Sequence, residues 1–222
     1  MKIRYPTVLF DLDGTLLDTL ADLRTACNVA LASVGAPARC LDEVRQFVGN
    51  GIAMLLERAI PGGRQHPRFT EALATLQTYY QQHDRVETMP YPGVVGLLET
   101  LKAEGVRCGV VSNKPDAAVK DLCAAFFPGL LAVSSGELPG MRRKPAPDVV
   151  EHALAAMGVN KNGCLYVGDS DVDLATARAA GIPCVSVTWG FRTSEQLLVA
   201  GATCLVHVPA EVLDVVHGQR QP

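Results

Sequence analysis

The chain has 222 residues, 48% of them hydrophobic and 19% charged, with a formal net charge of −3. That length can bury a sizeable core in one large or two small domains, and the balanced charge provides no basic field for a polyanion, so nucleic acid is not an expected partner. The opening Met1-Lys2-Ile3-Arg4-Tyr5-Pro6 leads straight into a short strand, with neither a signal-like apolar region nor the run of about 18 apolar residues that a membrane span needs.

The run Val8-Leu9-Phe10 reads as a strand, and Asp11-Leu12-Asp13-Gly14-Thr15 follows it directly. Side chains alternate along an extended segment, so carboxylates at i and i+2 project to one side, and Gly14 permits a sharp turn. Such a pair calls for a cation between its members. Mg²⁺ fits, because it takes oxygen ligands from one or two carboxylates and leaves room for a substrate phosphate. Taken alone, Asp-x-Asp is equally consistent with a solvated turn.

From about residue 16 to residue 89 the pattern is helical, with no strand signal. Leu20, Leu23, Cys27, Ala30, Leu31 and Val34 recur at helical spacing, and Gly35 stands where a left-handed cap is wanted. A second run holds Val44, Phe47 and Val48, breaks at Gly49-Asn50-Gly51, resumes through Ile52, Leu55, Leu56 and Ala59, and stops at Pro61-Gly62-Gly63. A third carries Phe69, Leu73, Leu76 and Tyr80.

Beyond Val94 helices and strands alternate. The pattern predicts helices near 94–104, 116–126, 147–157 and 171–180, strands at 107–111, 130–134, 164–167 and 184–187, then a short helix, a weak strand near 203–206, and a frayed tail from His217. Alternating strands and helices imply an α/β fold: a Rossmann-like parallel sheet with helices on both faces. The helical block interrupts this pattern after the first strand, which divides the chain into an α/β core of residues 1–15 and 90–222 and an inserted α-helical cap of residues 16–89.

Three further strand exits carry polar groups. Ser112-Asn113 follows Val110-Val111, Lys144-Pro145 lies in the polar stretch after Val133, and Gly168-Asp169-Ser170-Asp171-Val172-Asp173 follows Cys164-Leu165-Tyr166-Val167. In an open parallel sheet, ligands bind outside the carboxyl ends of the strands, so these exits can converge on one crevice. The ordered set resembles the four motifs of the haloacid dehalogenase superfamily, in its phosphatase branch.

The resemblance implies a Mg²⁺-dependent phosphomonoesterase in which Asp11 is nucleophile and metal ligand. Asp13 would be acid and base, with its backbone carbonyl on the metal. Asp169 would be the third ligand, and Asp173 would orient the shell. Ser112 and Lys144 would hold the transferring phosphoryl oxygens. Thr15 and Asn113 would supply further donors, although Thr15 is as well suited to capping a helix. Arg142 and Arg143 make a solvated basic loop the alternative for Lys144, and Lys114 is left outside the catalytic set. Acids in a helix's first turn also favour its dipole, which is the plainer reading of Asp171.

The break at Gly49, Asn50 and Gly51 resembles the cap loop of phosphoglycolate phosphatases, which implies a small phosphorylated metabolite, 2-phosphoglycolate first, although helix punctuation alone would also account for the glycines. A dehalogenase would not need Asp13. A sugar-phosphate phosphatase or phosphomutase shares the same motifs, and a phosphoaccepting signalling module would carry its phosphoacceptor on a middle strand. The seven cysteines lack metal spacing and are expected to be reduced, which suits a cytoplasmic protein, monomeric or homodimeric.

Overall fold

A computed structural model describes residues 3–222. In chain order its elements are β1 (Thr7–Phe10), β2 (Leu17–Asp18), α1 (Leu20–Ser33), α2 (Leu41–Phe47), α3 (Ile52–Ala59), α4 (Phe69–Gln82), β3 (Met89–Pro90), α5 (Val94–Ala103), β4 (Arg107–Pro115), α6 (Asp116–Phe126), β5 (Val133–Glu137), α7 (Asp148–Met157), β6 (Cys164–Gly168), α8 (Asp171–Ala180), β7 (Cys184–Val187), α9 (Ser194–Val199), β8 (Leu205–Val206) and α10 (Glu211–Val216). The chain resolves into two compact units. One joins the segment up to Leu17 to Pro90–Pro222, and the other is Asp18–Met89.

In the α/β unit six strands form one sheet in the order β5-β4-β1-β6-β7-β8, and every pairing is parallel. The chain builds outward from β1 through β4 to β5, then crosses back to β6 and builds the other way. That reversal opens a crevice at the carboxyl end of β1, flanked by β4 and β6. Alternation along each strand sorts the side chains into two layers. Val8, Phe10, Leu165 and Val167 pack with Leu98 and Leu101 of α5, Val119 and Leu122 of α6, and Val212 and Val216 of α10. Leu9 and Tyr166 face the opposite way, against Val149, Val150 and Ala153 of α7 and Ala177 of α8. Both faces are covered, as a parallel sheet requires.

Three local expectations need correction. The strand expected at 130–134 runs from Val133 to Glu137. Leu130 instead closes a turn onto the carbonyl of Phe127 and packs with Leu131 against the core, so its apolarity reports burial rather than pairing. Two short strands, β2 and β3, occur where no strand signal exists, because two-residue strands are too short to show a period. The tail is not frayed: the amides of Gln219 and Arg220 donate to the carbonyl of Asp214, and the Arg220 guanidinium donates to Leu205.

In the helical unit α1, α3 and α4 contact one another, and the buried residues are Leu23, Cys27, Ala30 and Leu31 of α1, Leu55 and Leu56 of α3, and Ala72, Leu76 and Tyr80 of α4. Its closing segment is tied down by one residue, Asp22. The Asp22 carboxylate accepts from the amides of Val86 (3.1 Å), Glu87 (3.0 Å) and Thr88 (2.9 Å) and from the Thr88 hydroxyl (2.7 Å). All seven cysteines are free. Among the described residues no helix is long and apolar enough to cross a membrane.

Candidate active site

β1 delivers Asp11 to the crevice, and the Asp11 amide extends the pairing by donating to Val167 at 2.9 Å. The Asp11 carboxylate lies 2.8 Å from the ammonium of Lys144. Lys144 also contacts the Asp173 carboxylate at 2.8 Å, the Tyr166 hydroxyl at 3.1 Å and the Val111 carbonyl at 3.4 Å. Four acceptors therefore surround an ammonium that has three protons to donate.

Asp11, Asp169 and Asp173 each place a carboxylate oxygen within 4.8 Å of the others, and all three residues are buried. Burial, reinforced by the Asp173 charge, pushes the Asp11 carboxyl up to about 7. Asp169 is also raised well above the usual carboxylate range, by burial and then by Asp173 and Asp11. Burial alone would lower Lys144, but Asp11 and Asp173 hold it well above its ordinary value. Three carboxylates against one ammonium leave the cluster with an excess of negative charge. This oxygen-only donor set fits a hard divalent cation, and Asp11, Asp169 and Asp173 are the side chains that would hold it.

Local structure explains why these acids can crowd. Asp169 accepts from the Thr15 hydroxyl at 3.3 Å and from the Phe191 amide at 2.7 Å. Gly14, with φ +86°, lies against Asp169 so closely that a Cβ there would collide with its carboxylate, and a Cβ at Gly190 would strike Gly14 and Asp169. Asp173 closes a capping box at the start of α8. It accepts from the Ser170 amide (3.1 Å) and hydroxyl (2.5 Å), while its own amide donates to the Ser170 hydroxyl (3.3 Å). The Tyr166 hydroxyl donates to Asp173 at 2.9 Å.

The Asp13 carboxylate pairs with Lys114 at 2.6 Å, and the third carboxylate clustered with those of Asp11 and Asp169 is that of Asp173. β1 ends at Phe10 and the backbone turns at Gly14, so strand alternation does not carry through to Asp13. Lys114, set aside in the sequence, is thus drawn into the crevice with its side chain 8% exposed. Tyr166 joins the site too; its signal in the sequence is a phenol within an aliphatic strand, since a buried tyrosine hydroxyl needs a partner.

The remaining residues have varied placements. Ser112 is buried, and its hydroxyl accepts from the Lys114 amide at 3.2 Å. The Asn113 side chain grips the backbone of Lys144, accepting from its amide at 2.8 Å and donating to its carbonyl at 3.2 Å. Thr15 caps no helix, since α1 starts at Leu20 after Thr19. Arg142 and Arg143 pair with Asp148 and Glu137, and Asp171 is an exposed partner of Arg192, which leaves Lys144 as the buried cation of that loop. The Trp189 indole donates to the Thr15 carbonyl at 3.0 Å.

Gly49, Asn50 and Gly51 lie in the helical unit. Both glycines adopt positive φ, 115° and 84°, and Arg58 of α3 donates to the Phe47 carbonyl and the Asn50 side chain, each at 2.8 Å. The Asn50 carbonyl oxygen therefore serves the loop itself.

Residues 8–187 match the family model for haloacid dehalogenase-like hydrolases. The chain belongs to that family. Among curated relatives, phosphoglycolate phosphatase 1 of Pseudomonas aeruginosa is 34% identical over 90% of this chain and 75% of its own length. A phosphoglycolate phosphatase of Cereibacter sphaeroides is 38% identical over 84% of this chain and 87% of its own. Among solved structures, a Lactobacillus delbrueckii protein provisionally described as a phosphoglycolate phosphatase superposes with a TM-score of 0.92 at 34% identity, covering 97% of this chain and 99% of that one. CbbY of Rhodobacter sphaeroides, solved in complex with phosphate, superposes with a TM-score of 0.74 at 25% identity, covering 94% of this chain and 96% of that one.

Proposed function

We propose that this hydrolase cleaves small phosphomonoesters, 2-phosphoglycolate foremost, through a phosphorylated Asp11 with the help of Mg²⁺. The observation that carries the reading is the buried cluster of Asp11, Asp169 and Asp173 around Lys144 at the carboxyl end of β1. The names of the curated relatives favour 2-phosphoglycolate.

A phosphate monoester resists hydrolysis because its negative oxygens repel a nucleophile, so the site must neutralise charge and align the attack. An oxygen of the Asp11 carboxylate attacks phosphorus as the bond to the ester oxygen breaks, and the departing alkoxide takes a proton from Asp13. Asp13, now a carboxylate, removes a proton from water. That water attacks the phosphorus of the Asp11 acyl phosphate, and inorganic phosphate leaves with Asp11 restored. Lys144 and the Ser112 hydroxyl stabilise the phosphoryl oxygens, and Asn113 holds the Lys144 backbone in place for that task. Thr15 and the Phe191 amide keep Asp169 aimed at the cluster. Mg²⁺ held by Asp11, Asp169 and Asp173 would supply positive charge for the phosphoryl oxygens. The helical unit acts as the cap, with Gly49, Asn50 and Gly51 contributing to the choice of leaving group.

Phosphate release from 2-phosphoglycolate, with Mg²⁺ and with excess chelator, tests the reading. Turnover is expected only with the metal, and Asp11→Asn is expected to abolish both turnover and protein phosphorylation. Undiminished activity of Asp11→Asn would remove the nucleophile. Interconversion of sugar phosphates without phosphate release would make the protein a mutase.

A further inference from the structure

Tyr166 of β6 is fully buried, in register with Leu9 of β1 on one side and Cys184 of β7 on the other, among the apolar side chains of α7 and α8. A phenylalanine ring would fill that layer equally well, so the hydroxyl is the part of the residue that packing does not explain. It donates to Asp173 Oδ1 at 2.9 Å and accepts from the Lys144 ammonium at 3.1 Å, and Lys144 donates to the same Asp173 oxygen at 2.8 Å. The three groups close a triangle, and its phenol corner stands on a ring that the sheet and two helices hold still.

We propose that Tyr166 is a positioning residue for Lys144, its phenol oxygen accepting the ammonium N–H that turns to a phosphoryl oxygen when substrate binds, an inference that rests on the phosphomonoesterase reading. The ammonium has three protons for the carboxylates of Asp11 and Asp173 at 2.8 Å, the phenol at 3.1 Å and the Val111 carbonyl at 3.4 Å. To reach a phosphoryl oxygen it must give up one of these acceptors. Leaving a carboxylate breaks a charge-assisted bond, about twice as strong as a neutral one, and strips a buried acid of its cation. The carbonyl of Val111 is too distant to hold an N–H firmly. Leaving the phenol costs least, because that acceptor is neutral, the contact is longer, and the phenol's own proton stays on Asp173. The hydroxyl also shares the charge of Asp173 Oδ1 with Lys144. Without it, Asp173 would draw the ammonium more tightly toward α8 and away from the phosphoryl group.

The test is a double-substitution cycle on the full-length protein with Mg²⁺, comparing the wild type, Tyr166→Phe, Lys144→Met and the two combined. Tyr166→Phe is expected to lower kcat/KM about tenfold, by the same factor for 2-phosphoglycolate and 4-nitrophenyl phosphate, because Lys144 serves the phosphoryl group that both share. In the Lys144→Met background the same substitution should change kcat/KM by less than about twofold, since nothing remains for the phenol to position. An equal loss in both backgrounds overturns the proposal and makes the hydroxyl a support for the fold. A second readout needs neither turnover nor the Lys144 variant. Saturating inorganic phosphate should give the wild type a tyrosine difference absorbance that Tyr166→Phe lacks, as the phenol loses its ammonium contact, and calorimetric phosphate affinity should fall about tenfold in Tyr166→Phe. An active wild type that binds phosphate with no such tyrosine signal overturns the role of Tyr166 while the phosphatase reading stands. A wild type inactive on both substrates overturns the phosphatase reading, and Tyr166 falls with it.

Discussion

Asp22 offers a test of how one buried carboxylate secures the helical unit. It is 4% exposed and accepts from four donors on Val86, Glu87 and Thr88, which lie 64 to 66 positions further along the chain. Asp22→Ala removes the acceptor of all four donors. The amides of Val86 and Glu87, on exposed residues, regain water, whereas the Thr88 amide and hydroxyl belong to a residue only 6% exposed and are stranded. Each stranded donor costs about 1–3 kcal/mol, so a loss of about 4 kcal/mol is expected, against a central value of about 1 kcal/mol for point substitutions. For a chain of this size that corresponds to a fall in Tm of roughly 8–16 °C. Thermal and urea unfolding followed by circular dichroism at 222 nm would measure it. Thr88→Val, which loses only the hydroxyl contact, should cost about 1–2 kcal/mol. The double variant should lose less than the sum of the two, because the residues share a bond. A loss below about 1 kcal/mol for Asp22→Ala, or full additivity with Thr88→Val, would refute the clasp.

Three further outcomes are expected. Asp13→Asn should lower turnover of 2-phosphoglycolate by about 10²- to 10⁴-fold while Mg²⁺ binding, measured calorimetrically, is largely kept; an unchanged rate removes Asp13 from proton transfer. The Asp11 carboxyl, raised from 3.8 to about 7, is protonated in the folded metal-free protein over a range where the unfolded chain is ionised. Its folded value exceeds its unfolded one, so its stabilising contribution is full below about pH 4 and is lost as pH rises through about 7. Because ligation needs the carboxylate, Mg²⁺ affinity should rise with pH up to about 7 and then level, with proton release detectable as buffer-dependent heat; a flat affinity from about pH 5.5 to 8 would contradict the assignment. Gly51 has φ +84°, so Gly51→Val would be strained by the backbone alone, and Arg58→Met is the cleaner probe of the loop. It should lower kcat/KM for 2-phosphoglycolate about tenfold, with 4-nitrophenyl phosphate within about twofold, and equal losses on both would make the loop structural.

The succession of strands and helices, the parallel sheet and the helical insertion were legible in the sequence because each depends on periodicity and turn residues among near neighbours. The same reasoning located the polar residues at the exits of β1, β4 and β6, and a strand exit is itself a local property. Which carboxylate meets which cation is not local. Asp13 and Lys114 are 101 positions apart, and only the parallel pairing of β1 with β4 brings them to 2.6 Å. A capping box on α8 brings Asp173 into the carboxylate cluster of Asp11 and Asp169, from a segment about 160 positions beyond Asp11. Asn113 reads in sequence as a free amide donor, yet its side chain is occupied by the Lys144 backbone across 31 positions. Asp22 likewise reads as a first-turn acid suited to a helix dipole, and only the packed helical unit shows it gathering donors from the far end of the insertion. Residue type and local spacing determine which chemistry is present; the tertiary structure decides which groups are neighbours, because charge pairing and hydrogen bonding depend on distances through space that strand order and backbone turns set.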